Sequence, residues 1–128
     1  MRSSSQRSSS DSAGATYLRK EEALTRLRAV AREARRRDPR LLRVILFGSL
    51  AKARATPRSD ADLVIVLREG APRRMDRIPA LLDLFRESPL PLDLHPYTLE
   101  EWEGSLARKE PLPLLACREG MDLLAEGE

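Results

Sequence analysis

The sequence is poor in the residues that staple or plate small proteins. One cysteine in 128 residues, Cys117, excludes an internal disulfide. One histidine, His95, leaves no Cys/His set for a structural zinc site. Aromatic residues make up only 4% of the chain, so the core must come from Leu, Val, Ile and Ala, with Trp102 and Phe85 read as core or interface anchors. Cys117 then reads as a small buried hydrophobe. No apolar run reaches the eighteen residues of a membrane span. The opening stretch MRSSSQRSSSDSAG lacks the apolar segment of a secretory signal. These absences lead us to expect a cytoplasmic protein with no membrane contact.

What is present suits one compact domain: 41% hydrophobic residues under a surface rich in the 34% that are charged. The net charge of +3 is uneven. Residues 1–40 hold 11 Lys and Arg against 5 Asp and Glu, and the remainder holds 12 against 15. The basic arm reads as a solvated helix face plus a tail. Attraction of nucleic acid or of an acidic partner is the alternative.

Residues 1–16 are Ser-rich and expected to be disordered, and residues 17–128 are expected to form the domain. Leu24, Leu27, Ala31 and Ala34 recur at helical spacing and predict a helix over 17–37, ended by Pro39. Leu41–Phe47 reads as a buried strand, 49–54 as one or two helical turns and 55–59 as a loop. A second buried strand covers Asp62–Leu67, and an amphipathic helix covers 73–87. Leu92–Tyr97 makes a third strand. Thr98 with Glu101 forms a capping box that opens a helix over 99–109. Pro111 and Pro113 are read as breakers, followed by a last helix over 113–125 interrupted by Gly120. The order predicts an α/β (α+β) fold, a small mixed sheet flanked by helices.

The informative stretch is VILFGSLAKARATPRSDADLVIVL, Val44–Leu67. A buried strand ends in Gly48-Ser49. Eleven residues after Ser49 comes Asp60, then Asp62 at the start of the next strand. Acids at i and i+2 on a strand share a face, and Ala61 between them points the other way. Like charges so close repel, and a divalent cation between them removes the conflict. Magnesium takes hard oxygen ligands, commonly one or two carboxylates plus substrate phosphates. Gly48 lets the backbone approach a ligand, and a helix opening at Leu50 would aim N–H groups at a phosphate. Ser49 adds a hydroxyl, with Lys52 and Arg54 as sources of positive charge. Asp93, between Leu92 and Leu94, points away from the apolar face those two share and is the candidate third ligand. His95, two residues further on, shares the face of Asp93. A lone histidine is read as structural, with contact to substrate or a role as base as the alternative.

This pattern resembles the DNA polymerase β nucleotidyltransferase superfamily. Within it, FGSLAKARATPRSDADLVIVL is similar to the minimal nucleotidyltransferase (MNT) family, whose members are often paired with a HEPN-domain protein. The resemblance covers about residues 24–125. It implies that Gly48 and Ser49 hold the β- and γ-phosphates, that Asp60 and Asp62 bind two Mg²⁺ ions, and that Asp93 binds the one that activates an acceptor hydroxyl. It also implies ATP as substrate, AMP as the transferred group, and a HEPN-type toxin as acceptor and partner in a homo- or hetero-oligomer. Leu50 stands where the family usually carries Arg, and Ala53 where it usually carries Gly. Those departures support an alternative, an antitoxin or subunit with a weakened pocket that acts by binding alone. A third reading, transfer to a small molecule such as an antibiotic, calls for a second substrate domain that 128 residues would not accommodate.

Overall fold

The structure is a computed structural model that describes residues 12–48 and 61–125, with side chains from residue 21 onward. Four strands form one mixed sheet in the order β3-β2-β1-β4. They are β1 (Leu41–Phe47), β2 (Ala61–Leu67), β3 (Leu92–Thr98) and β4 (Met121–Asp122). β1 runs antiparallel to β2 and β4, and β2 runs parallel to β3. β1 and β2 are the central strands and are covered on both faces, which is why they read as unbroken apolar runs. β3 is an edge strand, where Pro96 removes a backbone donor at no cost to an interior ladder.

The two faces bury separate clusters. α1 (Ser12–Arg37) lays Leu27, Ala31 and Ala34 against Val44, Leu46, Leu63 and Ile65, joined by Leu81 of α2 (Ile78–Leu84) and by Phe85. On the other face, Trp102 of α3 (Leu99–Ala107) and Ala116 of α4 (Pro111–Glu119) pack on Ile45, Phe47, Val64, Val66 and Tyr97. Of the two places open to Trp102 and Phe85, core or interface, both occupy the core. Among the described residues no helix is long and apolar enough to cross a membrane.

Three local expectations are corrected. The helix predicted over 73–87 is divided into a 3-10 turn, Arg74–Arg77, and α2. Pro79 lacks the N–H an unbroken helix would need there, but it is well placed in a first turn. The last helix starts earlier and stops sooner than predicted. Pro111 lies in its first turn, where its fixed φ favours initiation, and the helix ends before Gly120. A Cβ on Gly120 would collide with Ala116 O and Ile45 Cγ2, so the chain passes close to β1 only because that atom is missing. Residues 121–122 then pair with β1 as β4, and Leu123 is fully buried behind them. Cys117 is exposed: α4 buries Pro113 and Ala116, and the next position turns outward.

An ion pair with no local sequence signal ties the 3-10 turn to α3. The Arg77 guanidinium is almost wholly enclosed and donates to both carboxylate oxygens of Glu101, at 2.7 and 2.9 Å. It also donates to the carbonyls of Ala71 (2.6 Å), Pro72 (3.3 Å) and Pro96 (3.3 Å). Glu101 at the same time completes the expected capping box with Thr98. Its hydrogen bonds to Arg77 are the main reason its carboxyl falls from 4.5 to about 2.

Candidate functional site

The sheet topology brings three chain ends to one edge. β1 arrives there at Phe47-Gly48, antiparallel β2 departs from it, and parallel β3 departs beside β2. Phe47 lies opposite Asp62, Asp62 opposite Asp93, and Val64 opposite His95. Because strand side chains alternate, Asp62, Asp93 and His95 project from the face that carries Val64, Val66 and Tyr97. Ala61 and Leu63, on the other face, are fully buried in the α1-side core.

One ligand atom from each of Asp62, Asp93 and His95 lies within 4.8 Å of the others. His95 Nε2 is 3.6 Å from Asp93 Oδ2 and 4.0 Å from Asp62 Oδ1. Both separations are too long for hydrogen bonds. Asp93 is the most open of the three, with 60% of its side chain exposed against 32% for Asp62 and 29% for His95. The His95 ring is steadied by Phe47, with centroids 5.6 Å apart and planes tilted at 53°. Its Nε2 is shielded from solvent and has no hydrogen bond among the described residues.

Gly48 closes the cluster on the β1 side. Its φ is +90°, a conformation that side-chain-bearing residues rarely adopt. A Cβ built there would lie 2.5 Å from Asp62 Oδ2, so the glycine leaves room for that carboxylate.

Of the residues predicted for the site, the structure describes Gly48, Asp62 and Asp93 and places them together. Ser49, Lys52, Arg54 and Asp60 lie outside the described residues, as do Leu50 and Ala53. His95 joins the cluster although the sequence reading favoured a structural role. Its signal was the two-residue offset from Asp93, which fixes a shared face. A cavity of about 160 Å³ lined by Asp38, Arg40, Arg77 and Leu81 also touches Leu67, at the far end of β2 from Asp62. Both of its arginines are already paired, with Asp38 and Glu101.

The donor set is two carboxylates and one imidazole converging at a sheet edge, beside a backbone cradle that a Cβ would fill. It fits a divalent cation carrying an anionic substrate.

Residues 27–114 match the family described as the nucleotidyltransferase domain. No curated protein matches the sequence. Among solved structures, the fold is similar to that of a protein from Sulfolobus solfataricus described as a nucleotidyltransferase, with a TM-score of 0.52 and 19% identity. That match covers 80% of this chain and 84% of the other. A chain of a toxin–antitoxin structure with AMP-PNP aligns with a TM-score of 0.49 and 17% identity, covering 77% of this chain and 73% of that one.

Proposed function

Because the chain belongs to the nucleotidyltransferase domain family, we propose that it transfers AMP from ATP to a hydroxyl of a partner protein, with magnesium as the cofactor. The observation that carries this reading is the in-register placement of Asp62 and Asp93 beside a glycine that leaves space for the carboxylate. In this proposal Asp60, Asp62 and Asp93 hold the metal ions. Gly48 and Ser49 take the β- and γ-phosphates, and Lys52 and Arg54 add positive charge.

When bound, Mg²⁺ neutralises the triphosphate and polarises the phosphorus under attack. The chain's own contribution is position. Asp62, set between β1 and β3, fixes where the triphosphate lies relative to the sheet edge. Gly48 lets the backbone come close enough to meet it. Asp93, more exposed than Asp62, faces the side from which an acceptor hydroxyl arrives and favours loss of its proton. The hydroxyl oxygen bonds to the α-phosphorus, the bond from that phosphorus to the bridging oxygen breaks, and pyrophosphate leaves. Accurate placement and charge neutralisation supply most of the rate in such transfers.

A HEPN-type protein as acceptor, and a cytoplasmic antitoxin role, rest on the similarity of the Phe47–Leu67 sequence to minimal nucleotidyltransferases. Leu50 and Ala53 favour a second reading in which the protein neutralises its partner by contact alone.

The test uses ATP labelled at either the α- or the γ-phosphate, with Mg²⁺ and the product of the neighbouring gene. The expected result is acceptor labelling from the α position only, lost in Asp62→Asn. Absence of labelling with any of the four common nucleoside triphosphates, together with unchanged neutralisation by Asp62→Asn, would leave the binding-only reading in its place.

A further inference from the structure

We propose that His95 is a protein ligand to the same cation as Asp62 and Asp93, and that its nitrogen tunes the site toward Mn²⁺ and neighbouring first-row ions over Mg²⁺. This deepens the metal-site reading given above and depends on it.

Three observations converge. His95 Nε2 stands 3.6 Å and 4.0 Å from oxygens of Asp93 and Asp62. Those separations are too long for hydrogen bonds, and small side-chain rotations would bring the three atoms to about 2.1 Å from a shared ion. Next, Nε2 is shielded from water and has no hydrogen-bond partner among the described residues. A buried nitrogen left in that state is costly, and a cation accepting its lone pair would relieve the cost. Finally, the side chain is held in place. His95 pairs with Val64 in the parallel ladder, Pro96 after it restricts its backbone to extended conformations, and Phe47 packs on its ring. The nitrogen therefore points at the carboxylates without a separate ordering step.

The consequence is metal choice. Mg²⁺ demands oxygen ligands in near-octahedral array and gains little from imidazole, whereas transition dications accept nitrogen readily and bind more tightly along the first row. Two carboxylates alone suit Mg²⁺ and Mn²⁺ alike, and adding one imidazole shifts the balance toward Mn²⁺.

The chain contains a single histidine, so any imidazole nitrogen bound to a metal in tag-free protein is that of His95. Mn²⁺ is the probe, without nucleotide, on the full chain. Electron paramagnetic resonance counts free Mn²⁺, pulsed measurements report ¹⁴N coupling to the bound ion, and Mg²⁺ affinity follows by competition. The expected result is imidazole ¹⁴N coupling in the wild type. His95→Gln should abolish it, weaken Mn²⁺ binding by about tenfold or more, and change Mg²⁺ binding by less than about threefold. The wild-type coupling needs no variant to fold. Mn²⁺ that binds and is released by Asp62→Asn, yet shows no imidazole coupling and is held equally by His95→Gln, overturns the role of His95 and leaves the carboxylate site standing. Binding that is absent, or indifferent to both Asp62→Asn and Asp93→Asn, overturns the role of His95 and the metal-site reading together.

Discussion

Gly48 and Asp62 meet where β1 ends and β2 begins, and the fit between them is steric. Alanine at Gly48 must hold φ near +90° and place its Cβ 2.5 Å from Asp62 Oδ2. The backbone strain alone costs about 1–2 kcal/mol. The clash adds displacement of the carboxylate. Gly48→Ala should therefore lower unfolding free energy by at least that amount and also weaken divalent-cation binding. Denaturant unfolding and a metal titration on one preparation check both, and a loss of stability with unchanged metal binding would show that Asp62 has another place to go. At this scale the sequence was readable where periodicity decides orientation. Asp62 and Asp93 each stand against apolar neighbours that fix their face. His95 was harder, because its placement depends on the β2–β3 register, which brings Val64 rather than another residue beside it. Cys117 was misread because hydrophobic character does not say which side of a short helix faces the core.

The Arg77–Glu101 pair joins elements 24 residues apart, a separation no local pattern encodes. Thr98 and Glu101 were legible as a capping box, since that motif spans three residues, but the second role of Glu101 was not. Arg77→Ala removes both guanidinium hydrogen bonds to Glu101, together with those to the carbonyls of Ala71 and Pro96. We expect a loss of about 2–3 kcal/mol, below the roughly 3–5 kcal/mol of a fully enclosed pair, because Glu101 keeps about a third of its side chain in water. The pair also has a pH signature. The Glu101 carboxyl falls from 4.5 to about 2 on folding, so its contribution is complete above pH 4.5 and drains away as pH drops toward 2. Wild-type melting temperature should fall through that window. Glu101→Gln should start lower at neutral pH and fall less steeply, and equal acid slopes for the two proteins would contradict the pairing. The strands were legible as apolar runs bounded by turn residues. The prolines misled because they break a helix in its interior yet favour one in its first turn, and only tertiary packing distinguishes the two for Pro79 and Pro111.

On the scale of the molecule, the mixed sheet with helices on both faces was foreseeable from the order of elements. Its closing strand was not. β4 is two residues long and owes its existence to the free edge of β1, so no propensity announces it. It nevertheless delivers Leu123 and Leu124 into the α1-side core. A chain ending at Gly120 loses both. Removing one such buried leucine costs about 2–5 kcal/mol, against a typical total of about 5–15 kcal/mol. We expect truncation to lower the melting temperature by about 10 °C or more, or to abolish cooperative unfolding, as circular dichroism will show. A shift of only a degree or two would mean that the segment merely rests on the core. The whole assembly places β1, β2 and β3 so that one edge carries Asp62 and Asp93 side by side, and the proposed chemistry stands on that pair. Its most direct test is the rate of Mg²⁺-dependent α-phosphate label transfer, with melting temperature measured alongside, for the wild type, Asp62→Asn and Asp93→Asn. Both substitutions are expected to reduce transfer by about a hundredfold or more while the fold stays intact, and transfer at wild-type rate in either folded variant would contradict the assignment.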